Sequence, residues 1–196
     1  MSDHYEQMTV TSRAEWRAWL AKHHAKSPGI WLVTYKKRPG APYLPYDDVI
    51  EEALAYGWVD SKGRRLDDER SQLLLTPRKP KSSWSRPNKE RIERLVDADL
   101  MAPAGLAAVA AAKENGAWVA LDDVENLVEP AELREALDAD PAARRHWDAF
   151  PRSAKRGILE WIGTAKKAET RARRVAETAE LAARDIRANQ WPRPKR

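Results

Sequence analysis

Residues 48–61 read Asp48-Val49-Ile50-Glu51-Glu52-Ala53-Leu54-Ala55-Tyr56-Gly57-Trp58-Val59-Asp60-Ser61, and two periodicities meet at the glycine. Before it, Val49, Ile50, Ala53, Leu54 and Gly57 recur at helical spacing, so residues 48–56 are expected to form a helix that stops at Gly57. After it, Trp58-Val59-Asp60-Ser61 is expected as a short strand, Lys62-Gly63 as a turn, and Gln72–Thr76 as a returning apolar strand. A helix that runs directly into an antiparallel pair makes this part of the chain α+β.

Upstream, Ser12 followed by Glu15 is a capping signature, and Trp16, Trp19 and Leu20 share the apolar face of the helix it opens. Ser27-Pro28-Gly29 ends that unit. Ile30–Tyr35 is β-branched and aromatic, reads as a strand with Trp31, Val33 and Tyr35 on one face, and gives way to Lys36 and a Pro/Gly-rich loop. Downstream, Pro77, Pro80 and Pro87 punctuate an extended loop that leads into a helix from Asn88 with Ile92, Leu95 and Val96 inward. A further helix spans Ala104–Glu114 and closes at Asn115-Gly116.

The remainder reads as helical. Asp122–Glu129 is acidic, lacks periodicity and is expected as a linker. Pro130 then opens a helix bearing Leu133 and Leu137, and Asp140-Pro141 opens one bearing Trp147 and Phe150. Ser153 is expected to cap a third helix, with Ile158, Trp161 and Ile162. A last helix over Ala168–Ala188 has Val175, Ala179, Ala182 and Ile186 as its stripe. The expected organisation is a small antiparallel sheet packed with helices over 1–121, an acidic linker over 122–129, and a small helical domain over 130–196 with a basic terminal helix and tail.

Composition narrows the function classes. The 196 residues suffice to bury a real core, and the absence of cysteine excludes disulfides, thiolate metal sites and a cysteine nucleophile. The first residues are polar, without a basic start and apolar run, so a cytoplasmic location is expected. The apolar run Ala104–Ala112 falls well short of the roughly 20 residues of a spanning helix. Net charge is +5, but it is uneven: residues 151–196 carry 13 Lys/Arg against 5 Asp/Glu, whereas the rest is slightly acidic. The basic helices around Lys166, Lys167, Arg171, Arg173 and Arg174 are either a solvated face or a surface for an anionic polymer such as nucleic acid. Oligomeric state is not legible.

A set of landmarks recurs in a recognisable order: Trp16-x-x-Trp19-Leu20, Gly29-Ile30-Trp31-Leu32, Glu52-Ala53-Leu54-x-x-Gly57-Trp58-Val59-Asp60-Ser61, Thr76-Pro77-Arg78-x-x-x-Ser82-x-Trp84-Ser85-x-x-Asn88, and Leu100-Met101-x-x-Ala104-Gly105. With Pro130-x-x-Leu133, Leu137, Trp147, Trp161-Ile162 and Ala165-Lys166 through Arg173-Arg174, the chain resembles the bacteriocin-protection family, also called YdeI/OmpD-associated. The resemblance implies a role in resistance to antimicrobial peptides or bacteriocins and, in some members, association with an outer-membrane porin. It implies no catalytic activity.

The polar residues that concentrate chemistry are Asp60, Ser61, Arg78, Ser82, Trp84, Ser85 and Asn88, with Trp58 beside them and Lys36 as a second cation if the strands adjoin. A guanidinium offers a fixed fork for carboxylate or phosphate, serine and asparagine orient it, and tryptophan supplies a wall. The expected site is therefore a cleft for a small polar or anionic ligand, anchored by Arg78 and walled by Trp84. The structural alternative pairs Asp60 with Arg78, makes Ser82 and Ser85 helix caps and puts the tryptophans in the core. Asp60 is also the candidate acid/base of an enzyme that modifies a small molecule or toxin. No histidine adjoins it in sequence, His23-His24 do not share a helix face, and glycine-rich phosphate loops are absent, so no metal and no cofactor is expected. Eight of the nine tryptophans fall where they can be core or pocket; Trp191 sits in a tail with little to pack against.

Overall fold

The computed structural model describes residues 5–190. The chain divides into two compact units, Met1–Ala120 and Leu121–Arg196.

The first unit runs β1 (Glu6–Thr9), α1 (Arg13–His23), β2 (Ile30–Tyr35), α2 (Tyr46–Ala55), β3 (Trp58–Arg65), β4 (Arg70–Pro77), α3 (Arg86–Asp97) and α4 (Pro103–Glu114). Its four strands are ordered β1-β2-β4-β3. The sheet is mixed, which corrects the expectation of a purely antiparallel one: β1 lies parallel to β2, with α1 in the connection that a parallel pair requires. This strand has only four residues, none of them buried, so it lacks the alternation by which a strand is recognised.

The hairpin also departs from expectation. β3 does not turn at Lys62-Gly63 but continues to Arg65. Its register on β4 moves from Asp60↔Leu75 to Gly63↔Leu73, so the stretch ending in the glycine absorbs one extra residue as a bulge. The reversal falls over residues 66–69. There the Asp67 carboxylate accepts from the amides of Glu69 (2.9 Å) and Arg70 (2.7 Å), an aspartate turn that the Lys-Gly pair obscured.

Helices cover one face of the sheet. Ile30, Leu32 and Leu75 pack there with Trp16, Leu20, Val49, Ile50, Leu54, Ile92 and Leu95. Ser12 caps α1 through the Glu15 amide as its sequence predicts, while the Glu15 carboxylate reaches the Thr11 amide at 2.7 Å. Gly57 adopts φ +73° after α2, the left-handed conformation that suits a glycine stop. Beyond it Gly105 is indispensable in another way: a Cβ there would lie 2.2 Å from the Ala55 carbonyl oxygen, so α4 crosses the end of α2 at backbone contact. Buried Glu52 ties α1 to α2 by accepting from Arg13 (2.6 Å) and Arg17 (2.7 Å). Val96, expected inward on α3, is half exposed, because the crowded face of that helix is set by Ile92 and Leu95 alone.

The second unit contains α5 (Asp122–Glu125), α6 (Ala131–Asp138), α7 (Pro141–Ala149), α8 (Arg152–Gly163) and α9 (Ala168–Ala183). Leu133, Leu137, Trp147, Phe150, Ile158, Ile162 and Val175 form its core. The acidic stretch 122–129 is not a free linker. Asp122–Glu125 is helical, Glu125 is buried and pairs with Arg156 at 3.0 Å, and Glu129 is gripped by Arg144 through two bonds of 2.8 and 2.9 Å. Charge neutralisation by distant arginines, invisible locally, orders it. Asp140 caps α7 as expected. Ser153 does not cap α8, whose first turn starts at Arg152 after Pro151. The last helix ends at Ala183 rather than Ala188: Asp185 takes φ +59°, which breaks the helical path and leaves Ile186 half exposed. Trp191 and the rest of the basic tail lie outside the described residues.

Candidate functional site

A hollow of the first unit opens on the helix-covered face of the sheet, at the end where the chain leaves β2. It encloses about 730 Å³ between β2, β4, β3 and the loop 36–45 with the start of α2. Leu32, Leu73 and Gly63 lie abreast on the three strands and make the floor, with Leu44 and Val49 opposite. Gly63 keeps the space open. A Cβ at this position would meet the Leu73 Cδ1 at 3.7 Å and the Gln72 carbonyl at 3.8 Å, ordinary contacts, so a larger residue would project into the hollow without straining the backbone.

Two residues further along the strands, on the same face, Thr34 and Ser71 are cross-strand partners, and both line the cleft. Among the described residues no protein hydrogen bond to either hydroxyl competes with a ligand. Tyr43 and Tyr46 stand on the loop side, 41% and 52% exposed, large aromatic surfaces left uncovered at the mouth. The Tyr46 hydroxyl donates to Asp60 Oδ2 at 2.9 Å. Partial burial, and then the neighbouring Asp60 carboxylate, push the Tyr46 phenol up to about 12, so it remains a donor across the physiological range. Lys36 and Lys37 supply positive charge at the rim. Arg64, paired with Gln72, lays its guanidinium over Trp31 on the opposite face of the sheet, 4.2 Å from the ring centroid. The Lys36 ammonium spends two donors on the carbonyls of Asp67 (2.8 Å) and Asp68 (3.2 Å) and has a third left. The arrangement suits a molecule with an apolar or aromatic body and an anionic group.

The residues expected to form one site are thus distributed over several places. Asp60 and Lys36 line this cleft. Ser61 sits next to it, its hydroxyl 3.4 Å from the Leu74 carbonyl. Trp58 is not a pocket residue: it is 1% exposed, edge-on to Trp16 and Trp19, with its indole N–H on the His24 carbonyl at 3.2 Å. Arg78 leaves β4 beside Gly57, its amide on the Gly57 carbonyl at 3.0 Å, and its guanidinium lies over Trp84 with 3.8 Å to the ring centroid. Those two line a smaller hollow of about 70 Å³ against α4, which Asp60 does not reach. Ser82 is half-buried in the loop, Ser85 precedes α3 without a side-chain cap bond, and Asn88 accepts from Arg91 within that helix at 3.1 Å.

Tyr43, Tyr46, Thr34, Ser71 and Gly63 escaped the sequence reading as cleft residues. A glycine inside a strand was the available signal, since it marks a bulge or a vacant side-chain position. In the second unit, Lys166, Lys167 and Arg173 are exposed, whereas Arg171 binds Glu132 at 2.5 Å and Arg174 lies over Trp161, 4.9 Å to the centroid, and bonds its carbonyl. Two of the five expected cations are therefore spent on packing.

No helix among the described residues is long and apolar enough to cross a membrane. Neither a curated protein nor a solved structure matches the chain. Two family models do. Residues 8–108, which contain β2, β3 and β4, the cleft and the Arg78–Trp84 pair, match a domain of unknown function, DUF8412. Residues 126–185, the helical unit from the end of α5 through α9, match the family described as bacteriocin-protection, YdeI or OmpD-associated. The chain belongs to the DUF8412 family, whose model covers just over half of it.

Proposed function

We propose that this chain is a ligand-binding protein that serves protection against an antimicrobial agent, and that its ligand, an apolar or aromatic molecule with an anionic group, occupies the sheet-face cleft. The cleft itself carries this reading. Its volume of about 730 Å³ lies in the range of small-molecule sites, its floor is apolar, and its polar groups converge from separate strands. Two rim lysines against one carboxylate favour a negative group, and two exposed tyrosines offer flat surfaces for an aromatic body. The helical domain's family supports the protective role.

Anilinonaphthalene sulfonate, an aromatic anion that fluoresces once desolvated, is a suitable probe. We expect saturable binding to the parent protein and at least a roughly tenfold loss in Gly63→Leu, which fills the cleft, equivalent to about 1.4 kcal/mol. Lys37→Ala should weaken binding about threefold and flatten its salt dependence. Unchanged affinity in a folded Gly63→Leu protein overturns the assignment. In cells, bacteriocin sensitivity caused by loss of the gene should be reversed by the parent and not by Gly63→Leu.

A further inference from the structure

Arg78 is an anomaly that the cleft does not absorb. Its Nη2 donates to the Ser83 carbonyl and its plane rests on Trp84, but Nε and Nη1 are buried without any acceptor. Among the described residues it makes no ion pair. The nearest compensation is the through-space charge of Asp60, and burial pushes the guanidinium down to about 10 in spite of it. A half-buried cation with enclosed, idle donors is costly unless something neutralises it.

The space beside it is shaped for that purpose. The hollow of about 70 Å³ is lined by Arg78, Lys79, Pro80, Trp84, Ala108 and Ala111, with no carboxylate among them. Ala108 and Ala111 are the side chains of α4 at that wall, and their small size is what leaves the room. Pro80 is held in place because Asn115 Nδ2 donates to its carbonyl at 2.9 Å. Lys113 adds a further positive charge nearby, over Trp118 at 5.3 Å, a ring that itself packs on Trp84 at 5.1 Å. At ~30 Å³ per water, the hollow admits about two water-sized groups, the bulk of one oxyanion head.

We propose that this hollow is a second binding site, separate from the sheet-face cleft, for a phosphate-type oxyanion. Lys79, exposed at the mouth, provides the outer contact. Arg78 provides the inner charge and, after a small shift of its side chain, the planar pair of donors that matches two oxygens of such a group.

Calorimetric titration with inorganic phosphate at constant ionic strength tests this, with chloride as the control anion. The parent should bind phosphate saturably with half-saturation near or below about 1 mM, and chloride should not substitute for it. Ala111→Leu, which fills the hollow, should abolish binding, and Lys79→Ala, at an exposed position, should weaken it about threefold. Arg78→Lys keeps the charge but loses the fork, and should weaken it about tenfold. Binding of anilinonaphthalene sulfonate in the sheet-face cleft should stay at the parental level in all three variants, which shows them folded and separates this site from that one. Absence of saturable phosphate binding to the parent, or phosphate binding that is unaltered in both Ala111→Leu and Lys79→Ala, overturns the proposal.

Discussion

The sheet-face cleft and the Glu129 cluster of the helical unit are built from the same kinds of residue and end in opposite states. Around Glu129 every strong group is consumed: Arg144 clamps both carboxylate oxygens, the Trp147 indole donates to one of them at 2.7 Å, and Arg144 also reaches Asp148. Around Asp60 only the Tyr46 hydroxyl is engaged, and Thr34, Ser71 and Lys37 face open space. Aromatic, arginine and carboxylate side chains therefore do not mark a site by their presence. What marks one is polar capacity left over after the fold has satisfied itself.

The largest effect that would break this contrast is Glu129→Ala. It leaves Arg144 to Asp148 and Asp138 and strands the indole of fully buried Trp147, and should cost about 2 kcal/mol in urea unfolding. Asp60→Asn, by contrast, should cost under about 1 kcal/mol, since its partner is half exposed. By removing a like charge it should tighten binding of the sulfonate probe about twofold. If Asp60→Asn destabilises as much as Glu129→Ala, the cleft is as structural as the cluster.

Acid should act on the cluster. The Arg144 bonds hold the Glu129 carboxyl below its ordinary value of about 4.3, with the Trp147 indole assisting. Its stabilisation is therefore present above that pH and is lost as pH falls through the folded-state value. The Trp147 indole N–H resonance should report this on acidification, and Glu129→Gln should remove the slope. Alkali should act on the cleft, with the smallest effect. The Tyr46 phenol titrates near 12 in the folded protein against about 10 when free, so its contribution is complete below pH ~10 and fades as pH rises toward ~12. Tyr46→Phe should abolish that slope, and a slope that persists would assign it elsewhere.

Local order was largely legible. Ser12, Gly57 and Asp140 announce helix ends through groups within three residues of the bond they make, and the Ile30–Tyr35 strand declares itself by its side chains. The failures share a cause. β1 is a strand because β2 lies beside it, the 122–129 segment is ordered by Arg144 and Arg156, and the Lys62-Gly63 pair is a bulge because β4 sets the register. Each depends on a partner far away in sequence. The site suffered most from this: Asp60 and Arg78 seemed close along a hairpin, yet one faces the cleft and the other turns toward α4.

By itself, the sequence determined the α+β organisation, the helical second half, the absence of cysteine chemistry and the set of polar side chains that any site must draw on. Those properties follow from backbone preference and from the face on which each side chain emerges, both set within a few residues. Only the tertiary structure decided which of those side chains are spent and which are spare. It buried Trp58 as core, laid Arg78 on Trp84, joined Tyr46 to Asp60 and left Gly63 beneath an open cleft. Hydrogen-bond satisfaction is a sum over neighbours that the chain brings together from a distance, so no local pattern encodes it.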